Sequence, residues 1–137
     1  MTIYNGNIKS EKQLFNYLKT NFISDLERTT IAIARYDCYS HHHNLDIELK
    51  CRRTHYDKLL IEQKKYDALM KRATNFDTIP VYINSTPKGV WAFYIAEYNF
   101  SWEQKSLPIT TEFGKKFHVP KTISYVTVSE GIDLTKI

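Results

Sequence analysis

The spacing of hydrophobic and polar residues predicts one helix followed mainly by strands. Leu14, Phe15, Leu18 and Phe22 recur on one helical face behind Ser10-Glu11-Lys12-Gln13, which has the spacing of a capping box. A helix should therefore begin at Ser10 and end near Phe22 or Ile23. Residues 29–39 are rich in β-branched and aromatic side chains (Thr29, Thr30, Ile31, Ile33, Tyr36, Tyr39), which favours a strand, and residues 40–44 read as a polar turn. Residues 45–52 alternate without a fault. Leu45, Ile47, Leu49 and Cys51 lie on one side and Asp46, Glu48, Lys50 and Arg52 on the other, the pattern of a strand with one apolar face.

Further along, Leu59, Tyr66, Leu69, Met70 and Ala73 form an apolar stripe that predicts a helix over residues 57–73, with a short strand at 59–61 as the alternative start. Pro80 restarts extended structure. Residues 81–84, a turn at Ser85-Thr86-Pro87-Lys88-Gly89 and residues 90–96 read as a β-hairpin. Between residues 110 and 128 a short apolar segment precedes Pro120, and Ile123-Ser124-Tyr125-Val126-Thr127-Val128 alternates after it. The tail beyond Glu130 is expected to fray. No repeat, low-complexity tract or linker divides the sequence, so residues 1–137 read as one domain. A chain of this length buries roughly two-thirds of its unfolded surface, enough for a core.

Composition narrows the class. Hydrophobic residues are 42% and charged residues 25%, which argues against disorder and against a fibrous protein. Ten Tyr, seven Phe and two Trp, against four Gly and four Pro, suit amphipathic strand surfaces better than long loops. Nineteen basic and fifteen acidic residues give a net charge of +4, a mild aid to approaching a polyanion. Cys38 and Cys51 fall in predicted strands and not in a spaced framework, and nothing at the N-terminus resembles a signal peptide. Reduced thiols and an intracellular, cytoplasmic protein are therefore expected. No apolar run approaches the length of a membrane span.

Candidate chemistry lies around the alternating strand. Hydrolysing a phosphodiester calls for a hard cation, carboxylates that hold it while leaving room for water and phosphate, and a positive side chain near the attacking water. Asp37, Glu48 and Lys50 supply those groups. Glu48 and Lys50 are two apart on one strand, so their side chains leave the same face about 7 Å apart. If the turn is centred between His42 and His43, Asp37 lies directly across from Glu48. A loop of two or four residues gives that register, and a loop of three or five moves Asp37 out of line. Two opposed carboxylates repel, and a cation between them removes the repulsion.

Tyr36-Asp37, ten residues and then Glu48-Leu49-Lys50, after one helix and before another, resembles the PD-(D/E)XK nuclease superfamily. That superfamily includes restriction endonucleases, Holliday-junction resolvases and many phage nucleases. The stretch from Arg52-Arg53 through Leu60-Ile61-Glu62 to Lys65-Tyr66 resembles the segment that follows the motif in small phage and resolvase-like members, and the likeness spans about residues 10–70. It implies an α/β, restriction-endonuclease-like fold: a central mixed sheet flanked by helices in an αβββαβ core, here with extra C-terminal strands. It also implies Mg²⁺- or Mn²⁺-dependent cleavage of DNA. Asp37 and Glu48 would be metal ligands, the Leu49 backbone carbonyl an extra ligand, and Lys50 the group that positions the water. Glu11 is the candidate for a further acidic ligand from the first helix, with Glu27 second. The proline of the family name is replaced by Tyr36, and a Gln-x-x-x-Tyr helix motif found in one branch is not matched by Gln63 and Tyr66.

Blander readings stand beside these. A Glu-x-Lys on a solvated strand face arises often by chance. Arg52, Arg53, Lys64 and Lys65 either track a phosphate backbone or simply solvate a strand end and a helix. Adjacent residues point in different directions, so His41-His42-His43 reads as a solvated turn more readily than as a metal site. Trp91 and Trp102 suit a core or a subunit interface better than base stacking. A single scissile site per domain makes a homodimer plausible, with the C-terminal strands and aromatics as its surface. The alternative function is an inactive nuclease-fold module that binds nucleic acid or serves as a phage accessory protein, and an unrelated α+β adaptor is a further rival.

Overall fold

The computed structural model describes residues 6–30, 36–110 and 116–136. Helix α1 (Glu11–Asn21) starts with Ser10 as its N-cap, and the Gln13 side chain turns back one residue further than a capping box requires. The Ser10 hydroxyl accepts the Gln13 amide at 3.1 Å, while the Gln13 side chain takes the Lys9 amide at 2.5 Å. Leu14, Phe15 and Leu18 are buried, whereas Phe22 is the C-cap and stays exposed. Strands β1 (Glu27–Arg28), β2 (Cys38–Ser40), β3 (Leu45–Cys51) and β4 (Lys58–Glu62) follow. Then come α2 (Gln63–Phe76), β5 (Ile79–Thr86), β6 (Gly89–Tyr94), β7 (Glu103–Thr110), β8 (Lys116–Thr127) and β9 (Ile132–Asp133).

Six strands form a mixed sheet in the order β1-β2-β3-β5-β6-β9, in which β3 and β5 run parallel and the other neighbours antiparallel. A second, antiparallel sheet has the order β4-β8-β7. The alternation in β3 decides what covers each face. Ile47 and Leu49 join Leu14, Leu18, Leu26, Val81 and Ile83 in a core that includes α1. The opposite face of the large sheet gives Tyr82, Trp91 and Phe93 to a second core with Leu59, Ile61 and Val126 of the small sheet and Leu69 of α2. Aromatic side chains extend it, since Trp102 packs its ring against Tyr66 and Phe100 with centroids 5.3 and 5.1 Å away.

Several expectations are corrected. The helix predicted over residues 57–73 is β4 followed by α2, so the alternative strand start is the one adopted. Leu59 and Ile61 alternate inward as strand residues, and only Leu69 of α2 is fully buried. The β5–β6 turn is Pro87-Lys88 alone, because pairing runs on to Thr86 and Gly89. Strand β8 continues through Pro120, which lies across from Ser106. The tail does not fray. Leu134 donates its amide to the Val90 carbonyl at 2.8 Å, and Tyr17 donates its hydroxyl to the Leu134 carbonyl at 2.6 Å. Thr135 Oγ1 accepts the Val90 amide at 2.9 Å, in the space that a side chain at Gly89 would take. Of the strand predicted over residues 29–39, Cys38 and Tyr39 are in β2, Thr29 and Thr30 are in no strand, and residues 31–35 lie outside the described residues.

Candidate active site

The β2–β3 turn has four residues and fixes the register. Ser40 pairs with Leu45, Tyr39 with Asp46 and Cys38 with Ile47, so Asp37 just precedes the paired stretch on the register that continues toward Glu48. Asn44 closes the turn in the left-handed region at φ 58°, a conformation that asparagine tolerates better than most residues. Asp25 holds the turn from outside. Its carboxylate accepts the Ser40 hydroxyl at 2.7 Å and the His42 amide at 2.9 Å, and these bonds keep its pKa below the usual carboxylate value. His41, His42 and His43 are exposed on this turn.

Asp37 is anchored on three sides. Its amide donates to the Ile47 carbonyl at 2.9 Å, and its own carbonyl accepts the Thr29 amide at 3.0 Å. Its carboxylate accepts the Leu49 amide at 2.8 Å, which brings the acid group over β3 beside Glu48. Glu48 is 7% exposed. Burial, and then the neighbouring Asp37 charge, push its pKa up to about 7. The polar face of β3 is thus enclosed at Asp46 and Glu48, both buried, and opens to solvent at Lys50.

Positive groups surround these acids. Lys65, in the first turn of α2, places Nζ 3.4 Å from Glu48 Oε2. Glu11, in the first turn of α1, has its pKa raised by burial and then by Asp37, with Lys50, Lys65 and Arg28 pulling it back. Lys50 is exposed, opposite Asn84 of β5. Glu11, Glu48, Leu49, Lys50 and Lys65 line a cleft of about 380 Å³ that Leu107 and Lys121 close from the second sheet. Among the described residues no set of three or more His, Cys, Asp or Glu side chains could hold a metal ion as it stands. Asp37, Glu48 and Glu11 therefore do not form a three-carboxylate cage, and Glu27 lies apart, 3.7 Å from Lys19.

The other basic candidates divide. Arg53 and Lys64 are exposed. Arg52 ties the two sheets together: Nε donates to Asn84 Oδ1 at 2.7 Å, and Nη2 donates to the Leu60 carbonyl at 2.5 Å and the Tyr82 hydroxyl at 3.1 Å. Asp46 shares the polar face of β3 but has partners of its own. Thr78 donates to it at 2.6 Å, and Arg72 Nε stands 2.8 Å away, an ion pair by distance although its N–H is not aimed along the contact. Trp91 is a core residue beside the His55 ring. Cys38 and Cys51 are free thiols, and burial pushes the Cys38 thiol up to about 12, which leaves it inert.

Sequence reasoning missed the Lys65–Glu48 pair and the Lys121–Glu62 pair, whose atoms are 2.7 Å apart at the same cleft. A signal for the first was present. Lys64 and Lys65 stand in the opening turn of α2, which itself holds no acidic residue, against the preference set by the helix dipole. Nothing local pointed to the second, because β8 reaches β4 only through the small sheet.

No protein-family model matches the chain, and no curated protein matches it. Among solved structures it is similar to the 1.6 Å structure of Archaeoglobus fulgidus Hjc, a Holliday junction resolvase from an archaeal hyperthermophile. The TM-score is 0.57 and the identity 16%, and the match covers 90% of this chain and 88% of that one. At that identity the likeness is one of fold: an α/β, restriction-endonuclease-like architecture with a central mixed sheet, two helices and extra strands. Among the described residues no helix is long and apolar enough to cross a membrane.

Proposed function

We propose that the protein is a metal-dependent nuclease that hydrolyses DNA phosphodiester bonds, with Asp37 and Glu48 as metal ligands and Lys50 positioning the attacking water. The observation that carries this reading is the pair of opposed acids: the Asp37 carboxylate on the Leu49 amide at 2.8 Å, beside a buried Glu48 whose pKa it helps to raise. The fold shared with a Holliday junction resolvase supports it.

The donor set suits a hard divalent cation. Mg²⁺ typically takes one or two protein carboxylates and keeps several waters, so two acids and the Leu49 carbonyl are enough, with Glu11 available through water. Burial first and then repulsion from Asp37 lift Glu48, and a cation would relieve both. When bound, Mg²⁺ or Mn²⁺ would neutralise charge on the phosphate and acidify a water. The chain's own groups do the rest. Lys50, on the Glu48 face of β3, holds the attacking water and opposes charge gathering on the phosphoryl oxygens. Arg53 and Lys64 are free to meet the flanking backbone. Within this reading the chain acts as one intracellular domain, pairing as a homodimer to cut two strands.

One observation favours a second reading, an inactive nucleic-acid-binding module: the Lys65 ammonium already stands 3.4 Å from Glu48 Oε2. Labelled single-stranded, duplex and branched DNA incubated with Mg²⁺ or EDTA separates the two. A nuclease cuts with Mg²⁺ only and loses cutting in Lys50→Ala, whereas equal cleavage by both proteins marks a contaminant and removes the enzyme reading.

A further inference from the structure

Lys65 crosses from α2 to β3 to stand at Glu48, and the two partners differ in freedom. The Glu48 side chain is 10% exposed and the Lys65 side chain 52% exposed, so a carboxylate fixed in the wall faces an ammonium on a solvated stem. A buried carboxylate needs a counter-charge, whereas lysine is a hydrated point charge on a flexible chain that leaves without disturbing the backbone.

The position of Lys65 is a second, independent observation. Helix α2 opens with Gln63, Lys64 and Lys65, has no acid in its first turn, and its N-cap Glu62 makes no side-chain capping bond. The positive end of a helix disfavours lysine in the first turn, and the one acid at this end, Glu62, lies outside that turn and pairs with Lys121. A local rule broken next to a cleft is characteristic of a functional constraint.

We propose that Lys65 is the resident counter-cation of Glu48 and must be displaced by the divalent ion, so that ammonium and metal compete for one carboxylate. The inference rests on reading Asp37 and Glu48 as metal ligands. In the metal-free protein Lys65 offsets part of the cost of charging the buried acid. After displacement its ammonium stays at the cleft with Lys50, where a phosphate is the natural anion for it. Metal entry and phosphate capture are then coupled through one side chain.

Calorimetric titration of the metal-free full chain with Mn²⁺ tests this without any cleavage readout. Lys65→Ala should bind Mn²⁺ roughly three- to tenfold more tightly than wild type, as expected for removing one nearby positive charge at a partly exposed site. Lys65→Arg should bind no more tightly than wild type, and Lys64→Ala, which removes an exposed charge one residue away, should stay within about twofold. Circular dichroism establishes that each variant is folded. Unchanged or weaker binding by Lys65→Ala overturns the proposal, as does equal tightening by Lys64→Ala or Lys65→Arg. Mn²⁺ binding that is lost in Asp37→Asn but indifferent to Lys65→Ala leaves the metal-centre reading standing and removes this one. Absence of Mn²⁺ binding in every variant removes both.

Discussion

The Asp37 carboxylate accepts the Leu49 amide at 2.8 Å, so an acid preceding β2 is held over the backbone of β3 next to Glu48. That bond does two things at once. It satisfies a strand amide, and it fixes one negative charge beside another.

The first prediction concerns charge. Asp37→Asn keeps an acceptor for the Leu49 amide but removes the negative charge, so the fold should survive with a stability change within about 1 kcal/mol. The Glu48 pKa should fall from about 7 toward the ordinary carboxylate range, and cleavage should be lost. Carboxyl-carbon NMR titration of Glu48 reads this directly. An unmoved pKa would show that Asp37 does not act on it.

A second prediction follows for stability. Glu48 keeps its proton up to about pH 7 in the folded chain but only to about 4.5 when unfolded, so the folded chain binds more protons between those values. Stability contributed by this group therefore falls as pH rises through that window. The loss reaches up to about 3 kcal/mol, because each tenfold difference in proton affinity between the two states is worth about 1.4 kcal/mol. Glu48→Gln should escape it. Urea midpoints should favour wild type relative to Glu48→Gln more at pH 4.5 than at pH 8, and a difference between the two proteins that does not change with pH contradicts the account.

Much of this arrangement was legible in local sequence. The Ser10 cap of α1, the strand over residues 45–51 and the four-residue turn that pairs Cys38 with Ile47 depend on neighbours a few residues away, and these are found as expected. What was not legible depends on distant partners. The polar face of β3 reads as solvated until α2 and the β4-β8-β7 sheet are known to cover it. Residues 57–62 carry a helix-compatible stripe, and pairing with β8 makes them a strand. The tail has too few apolar residues to announce itself, yet Tyr17, Val90 and Gly89 provide a site for it.

Arg52 yields a third prediction. Its bonds to Asn84, the Leu60 carbonyl and Tyr82 join the sheets, so Arg52→Ala should destabilise the protein by about 2–4 kcal/mol through charged hydrogen bonds left unmade. Hydrogen exchange should quicken first in β4. A change in DNA affinity with no loss of stability would assign Arg52 to substrate instead.

The docked tail gives a fourth. The Tyr17 hydroxyl donates to the Leu134 carbonyl and accepts the Lys136 amide at 2.7 Å, so Tyr17→Phe should cost about 1 kcal/mol and speed exchange of the Lys136 amide. Exchange unchanged from wild type would mean that the tail is held without Tyr17.

The central claim is that Asp37 and Glu48 share one ion. Anomalous scattering from crystals grown with Mn²⁺ measures it most directly. The account predicts a peak about 2.0–2.2 Å from one oxygen of each carboxylate, with Lys65 moved away from Glu48. A peak bound elsewhere, or contact with only one of the two acids while Lys65 still holds Glu48, contradicts it.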